Sequence, residues 1–183
     1  MSRTIVVNDA NLLIDLSKLQ LVDSLFALDY TFCTVDAVWN ELRADQQTPY
    51  QPFIHSVLFQ IGQIDASDLE AVLAIRLERR QLSFPDCTAL VYTNLLHAVL
   101  LTSDKNLRSA ARAHHIAVHG HLWLFDAFFM AGILTGPMLI EKLHELRTTV
   151  NPRLGLPKEV CRIRIKLWER IKKPTVKGRW EGT

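Results

Sequence analysis

Two short aliphatic runs each end in an acid and lead straight into a helical segment, and this repetition constrains the fold more than anything else in the chain. Thr4-Ile5-Val6-Val7-Asn8 reads as a buried strand, followed by Asp9 and a helical pattern over residues 11–19. Val99-Leu100-Leu101-Thr102-Ser103 leads in the same way to Asp104 and a helix over 106–115. Between and after them, residues 30–34 read as a strand, 35–43 as a helix carrying Glu41, and 116–118 as a short strand. Such alternation is the pattern of right-handed βαβ crossovers, so the expected class is α/β, with a mainly parallel sheet covered by helices on both faces. Ligands of open parallel sheets bind beyond the carboxyl ends of the strands, which places Asp9 and Asp104 together at one sheet edge.

The remaining segments fit around that frame. Ser67-Asp68-Leu69-Glu70 has the form of a capping box opening a helix to about residue 80. Ser83-Phe84-Pro85-Asp86 opens another, with Ser83 as cap, Pro85 where no amide donor is needed, and Asp86 in a first turn whose backbone amides favour its ionised form. The polar, proline-bearing stretch 45–52 reads as a surface loop. Residues 122–140 are apolar enough to imitate a membrane span. Asp126 inside the run would cost about 2.5–3.5 kcal/mol at a bilayer centre, and Gly136-Pro137 interrupts it, so two packed helices with a turn at Thr135-Gly136-Pro137 are expected. No membrane association is expected.

With 183 residues and 49% apolar side chains, the chain is sized for one domain with a substantial core. Cys33, Cys87 and Cys161 are odd in number and lack C-x-x-C spacing, which argues for core thiols in a reducing cytoplasm. The first residues carry none of the regions of a signal peptide. Charge is unevenly spread: residues 147–183 hold eleven Lys or Arg against three Glu, a balance of +8, while residues 1–146 stand at −6. A basic extension of this kind suits nucleic acid or an acidic partner, or is simply a solvated helix face.

Clustered carboxylates repel one another unless a cation sits among them. A hard divalent ion with oxygen ligands, Mg²⁺ or Mn²⁺, is the simplest compensation, and acid-only sites holding two ions roughly 3.5–4 Å apart are suited to phosphodiester cleavage. An isolated Asp9 would read as a helix cap; Asp104 in the same setting favours metal binding.

At these residues the chain resembles the PIN-domain family of metal-dependent ribonucleases. The resemblance is carried by Val6-Val7-Asn8-Asp9-Ala10-Asn11-Leu12-Leu13-Ile14, Val38-Trp39-Asn40-Glu41-Leu42, Pro85-Asp86-Cys87-Thr88-Ala89-Leu90 and Leu100-Leu101-Thr102-Ser103-Asp104, spread over roughly residues 4–120. It implies a PIN-like α/β/α sandwich with extra C-terminal helices, divided as a PIN-like domain over 1–145 and a basic helical extension and tail over 146–183. It also implies that Asp9, Glu41, Asp86 and Asp104 hold one or two Mg²⁺ or Mn²⁺ ions, with Asn11, Thr102 and Ser103 tuning them by hydrogen bonding. Small bacterial members look like VapC-type toxins. The function so implied is metal-dependent endonucleolytic cleavage of single-stranded or structured RNA, by a homodimer paired with a cognate antitoxin. The segment beyond Gly120 continues past the end of a minimal toxin of that type.

Arg108, Arg112 and the basic tail are candidate RNA contacts. His114, His115, His119 and His121 match no standard zinc spacing and read as surface or interface residues, while Trp123, Phe125, Phe128 and Phe129 read as packing residues. Two other classes compete. One is a catalytically weak or inactive PIN-like module that binds RNA or protein. The other is an aspartyl-phosphate phosphatase, which wants a second Asp where Asn11 stands.

Overall fold

The structure, a computed structural model, describes residues 3–170. Strand β1 (Ile5–Asn8) runs into helix α1 (Ala10–Lys18), whose Leu12, Leu13 and Leu16 are buried. Helix α2 (Val22–Phe26) leads to β2 (Thr31–Val35) and the single turn α3 (Asp36–Trp39). Residues 45–52, expected as loop, are instead mostly helical: α4 (Ala44–Gln47), a 3₁₀ turn (Thr48–Tyr50) and α5 (Gln51–His55) follow one another. Both prolines there occupy opening positions of their helical turns, where the missing N–H costs nothing. Tyr50 anchors the segment, fully buried, its hydroxyl donating to the Leu13 carbonyl at 2.7 Å.

Strand β3 (Phe59–Gly62) had no clear sequence signal, since only Phe59 in it is fully buried. Next come α6 (Leu69–Glu78), α7 (Phe84–Leu95), β4 (Val99–Leu101), α8 (Lys105–Ala113), β5 (Val118–His119) and α9 (His121–Met130). The capping box expected at Ser67 is not formed; Asp68 is the N-cap residue of α6, without a side-chain cap bond. The short strand expected at 116–118 begins only at Val118. The apolar run does split into two helices, α9 and α10 (Gly136–Glu145), but the turn precedes Gly136, with Thr135 as N-cap. Among the described residues no helix is long and apolar enough to cross a membrane. A π-type turn (Leu146–Val150) and α11 (Lys158–Arg170) complete the described chain; of the basic extension and tail expected over 146–183, residues 171–183 lie outside the described residues.

Among the described residues five strands form one parallel sheet, in the order β3-β2-β1-β4-β5. The fold is therefore the expected α/β sandwich with helices added at the C-terminal end. β1 lies at the centre, registered on β2 through Val6↔Phe32 and on β4 through Val7↔Leu100. The chain builds outward from β1 to β3, then crosses back to lay β4 on the other side of β1. This makes the β1/β4 boundary the topological switch point, where open parallel sheets leave a crevice at their carboxyl ends.

Gly136 and Trp168 join the C-terminal helices to the body. A Cβ on Gly136 would overlap the backbone carbonyl of Trp168, so only glycine lets α10 and α11 approach this closely. Trp168 is 1% exposed and stands against Phe125 of α9. Asp126, the acid inside the apolar run, is met by Arg164 of α11, whose Nε donates to its Oδ2 at 2.7 Å.

Candidate active site

Asp9 is the N-cap residue of α1, directly after the central strand. Its backbone N–H donates to the Leu101 carbonyl at 3.1 Å, extending the β1/β4 ladder one step beyond the strand itself. Thr102 is thereby held opposite. Its hydroxyl donates to Asp9 Oδ2 at 2.7 Å and accepts from the Asp104 backbone N–H at 3.0 Å. A single buried threonine thus fixes both strand-end acids. Asp104 then caps α8, accepting from the Leu107 N–H on Oδ1 at 2.8 Å.

Asp86 arrives from the far side on α7. Ser83 Oγ accepts from the Asp86 N–H at 3.1 Å while Asp86 Oδ2 accepts from the Ser83 N–H at 2.7 Å, a reciprocal box that sets the carboxyl at the helix start. Glu41 does not ride on a helix as expected. It lies in the turn after α3, its N–H bonded to the Val38 carbonyl.

All four acids nevertheless converge. Asp9, Glu41, Asp86 and Asp104 line one cleft of about 260 Å³, together with Asn11, Ser83 and Ile14. Burial raises the Asp9 carboxyl, and the charges of Asp86 and Glu41 raise it further against the pull of the Thr102 hydrogen bond, to about 7. Glu41 is likewise pushed up, by burial and then by Asp86. Among the described residues no Lys, Arg or His lines this cleft beside the four acids. Its side-chain donors are hard oxygens, four carboxylates with the Asn11 amide and the Ser83 hydroxyl, the chemistry of a Mg²⁺ or Mn²⁺ site rather than of a thiolate or imidazole site.

The other expected residues divide. Asn11 is exposed on the cleft wall. Ser103 turns away from the acids and bonds His121 Nδ1 at 2.7 Å. Arg108 donates to the Thr102 carbonyl at 2.9 Å, and it and Arg112 line a neighbouring pocket rather than the acid cleft. Of the four histidines read as surface or interface residues, His114 and His115 are exposed, His119 stacks on Trp123 with ring centroids 4.5 Å apart, and His121 is fully buried. Phe125, Phe128 and Phe129 are core residues, and all three cysteines are buried free thiols.

The sequence reading missed the partners of His121. Its Nε2 faces Asp15 Oδ2 at 3.1 Å, and that oxygen accepts from Asn151 Nδ2 at 2.8 Å. Asp15 sits between Ile14 and Leu16 beside the apolar stripe of α1, and an acid in that place was the available signal of a buried polar partner. The network ties the Ser103 loop to α1 and to the segment beyond α10.

A family model described as a PIN domain matches residues 5–169. The chain belongs to the PIN-domain family. PIN domains are generally nucleases. Among solved structures, a toxin–antitoxin complex from Klebsiella pneumoniae contains a chain with 25% sequence identity and a TM-score of 0.44, the match covering 54% of this PIN-domain chain and 86% of that one. A crystal structure of a Pyrobaculum aerophilum protein matches at 18% identity and a TM-score of 0.47, covering 68% and 89% respectively. No curated protein matches.

Proposed function

We propose that this PIN-domain protein is an endoribonuclease that cleaves single-stranded RNA with Mg²⁺ or Mn²⁺. The observation that carries the reading is the convergence of Asp9, Glu41, Asp86 and Asp104 on one cleft at the switch point of the sheet. Those four carboxylates would hold one or two ions, which supply activation of water and stabilisation of the charge that develops on the phosphate. The chain's own residues do the positioning. Thr102 keeps the Asp9 carboxylate and the Asp104 backbone in fixed relation, and the Ser83–Asp86 box holds the third acid at a helix end. Arg108 and Arg112 lie past Asp104 on α8, where cations would draw the RNA backbone across the acidic cleft. Neutralising Asp9 removes a carboxylate donor without changing side-chain size. RNA cleavage with Mn²⁺ should therefore drop at least about a hundredfold in Asp9→Asn and Asp104→Asn, in line with loss of a directly acting group; equal rates in all three proteins would sink the assignment.

The same reading extends to a toxin role inside the cell, with a cognate antitoxin and a homodimeric state, and to a PIN-like body over 1–145 with a basic extension over 146–183. Growth arrest on expression, relieved by the product of a small adjacent reading frame, is the test of the toxin role. A second reading, a PIN-like module that binds RNA or protein without cutting, is favoured by one observation: Arg108 and Arg112 line a pocket beside the acids and not the acidic cleft itself. The two separate on thermal stability. A nuclease site gains stability from Mn²⁺, whereas a non-cutting module with weak or absent metal binding does not.

A further inference from the structure

Beside the acidic cleft, on the other side of residues 103–104, lies a second pocket of about 430 Å³ with the opposite charge. Lys105, Arg108 and Arg112 of α8 and Arg164 of α11 contribute to its lining, and no Asp or Glu does. Arg164 is spent on Asp126. Among the described residues, Lys105, Arg108 and Arg112 have no acidic partner; the Arg108 bond goes to a backbone carbonyl. Cations crowded in this way repel one another unless an anion joins them.

Aromatic and apolar groups share the lining with these cations. His119 lies parallel to Trp123, with an interplanar angle of 6°, and residues 154–157 from the segment before α11 also line the pocket. Cations and a planar aromatic pair in the lining of one pocket are complementary to a ligand that carries both a phosphate and a ring. Arg108 and Arg112 recognise the phosphate by charge, and the stacked pair offers a surface for a base, which stacks irrespective of its identity. The pocket volume falls in the range of small-ligand sites, about 300–1,000 Å³.

We infer that this pocket seats one nucleotide of the RNA strand, its phosphate on Lys105, Arg108 and Arg112 and its base against the His119–Trp123 stack, next to the phosphodiester held in the acidic cleft. The choice of RNA as ligand rests on the nuclease reading; the pocket itself does not. Its amphipathic lining is also what separates a nucleotide from an acidic peptide, which would use the cations and leave the stack idle. Residues 154–157 belong to the chain beyond the five-stranded sheet, so the C-terminal helices complete a substrate site and do more than cover the fold.

The test measures binding in EDTA, where no cleavage intervenes, so that its failure is distinguishable from failure of the nuclease reading. A short fluorescent RNA, adenosine 5′-monophosphate, inorganic phosphate and an oligoglutamate peptide are compared on the full chain. The exposed pair Lys105→Ala/Arg112→Ala should weaken RNA binding about tenfold or more and make its salt dependence shallower by about 1.4, two contacts at about 0.7 each. His119→Ala, removing the stack, should cost about tenfold with little change in salt dependence. Competition by adenosine monophosphate supports a pocket that recognises the nucleotide by itself. Competition by RNA alone, lost in both variants, supports recognition within a strand. Unchanged affinity and salt dependence in the double variant would overturn the inference. So would inorganic phosphate competing as well as the nucleotide, or oligoglutamate binding more tightly than RNA.

Discussion

A carboxyl that is 2% exposed and faces two further acids is costly to ionise, and Asp9 bears that cost in a way that can be measured. In the unfolded chain it titrates near 3.8; in the fold it titrates near 7. Because the folded value is the higher, the penalty is absent below about pH 4, grows as the unfolded state ionises first, and is complete above pH 7. At about 1.4 kcal/mol per unit, the metal-free protein should lose about 4 kcal/mol of stability across that window relative to Asp9→Asn. Denaturant unfolding in EDTA at several pH values checks this, and a difference between the two proteins that is independent of pH would refute it. Thr102 works against the penalty, since its hydroxyl stabilises the ionised carboxylate. Thr102→Val should destabilise by about 1–3 kcal/mol, because it leaves the Asp104 N–H and Asp9 Oδ2 without their partner. It should also move the acid limb of the cleavage profile to higher pH. The positions of Asp9 and Asp104 were legible in the sequence because strand ends are marked by where an apolar run stops. The Asp15–His121 pairing was not, because it joins residues far apart in sequence and only the fold supplies the proximity.

At the scale of elements, helix ends aim the acids, so capping and function are linked. Ser83→Ala removes one half of the box that holds Asp86 and should cost about 1 kcal/mol, read as a lower thermal midpoint, together with weaker Mn²⁺ affinity. This box was readable because Ser, Pro and Asp occupy positions whose chemistry is local. The nominal box at Ser67 shares the Ser-x-x-acid spacing, though with Glu70 and no proline, and is unformed, since Asp68 takes the cap position without a side-chain bond. Local pattern offers such a bond; the approach of the chain into the helix decides whether it is made. Glu41 shows the same limit, for its helix stops at Trp39 and the acid reaches the cleft from the turn. The close approach of α10 and α11 depends on one missing side chain. Gly136→Ala should destabilise by about 1–3 kcal/mol through overpacking against Trp168, measured by unfolding of the full chain. An effect of that substitution confined to a few tenths of a kcal/mol would mean the two helices can part at little cost.

On the scale of the whole molecule, the α/β class and parallel sheet followed from strand–helix alternation, whereas strand order required the fold. Alternation says that strands run parallel; it does not say on which side of β1 the chain returns. The switch point depends on that choice, and with it the meeting of Asp9 and Thr102. Addition of Mn²⁺ should raise the thermal midpoint of the wild type, by about 2.7 kcal/mol of stability at a hundredfold excess over the dissociation constant, and should do so much less in Asp9→Asn. Strand order also has a consequence during synthesis. The first acid is made at position 9, but β4 and the Thr102 and Asp104 that follow it are not made until positions 99–104, after two strands on the other side of β1 and the helices that connect them. A ribosome-bound chain shorter than that has a half-built sheet with one open flank of β1 and no cleft. If the protein is harmful to the cell that makes it, its own topology withholds the harm until more than half the chain has been translated.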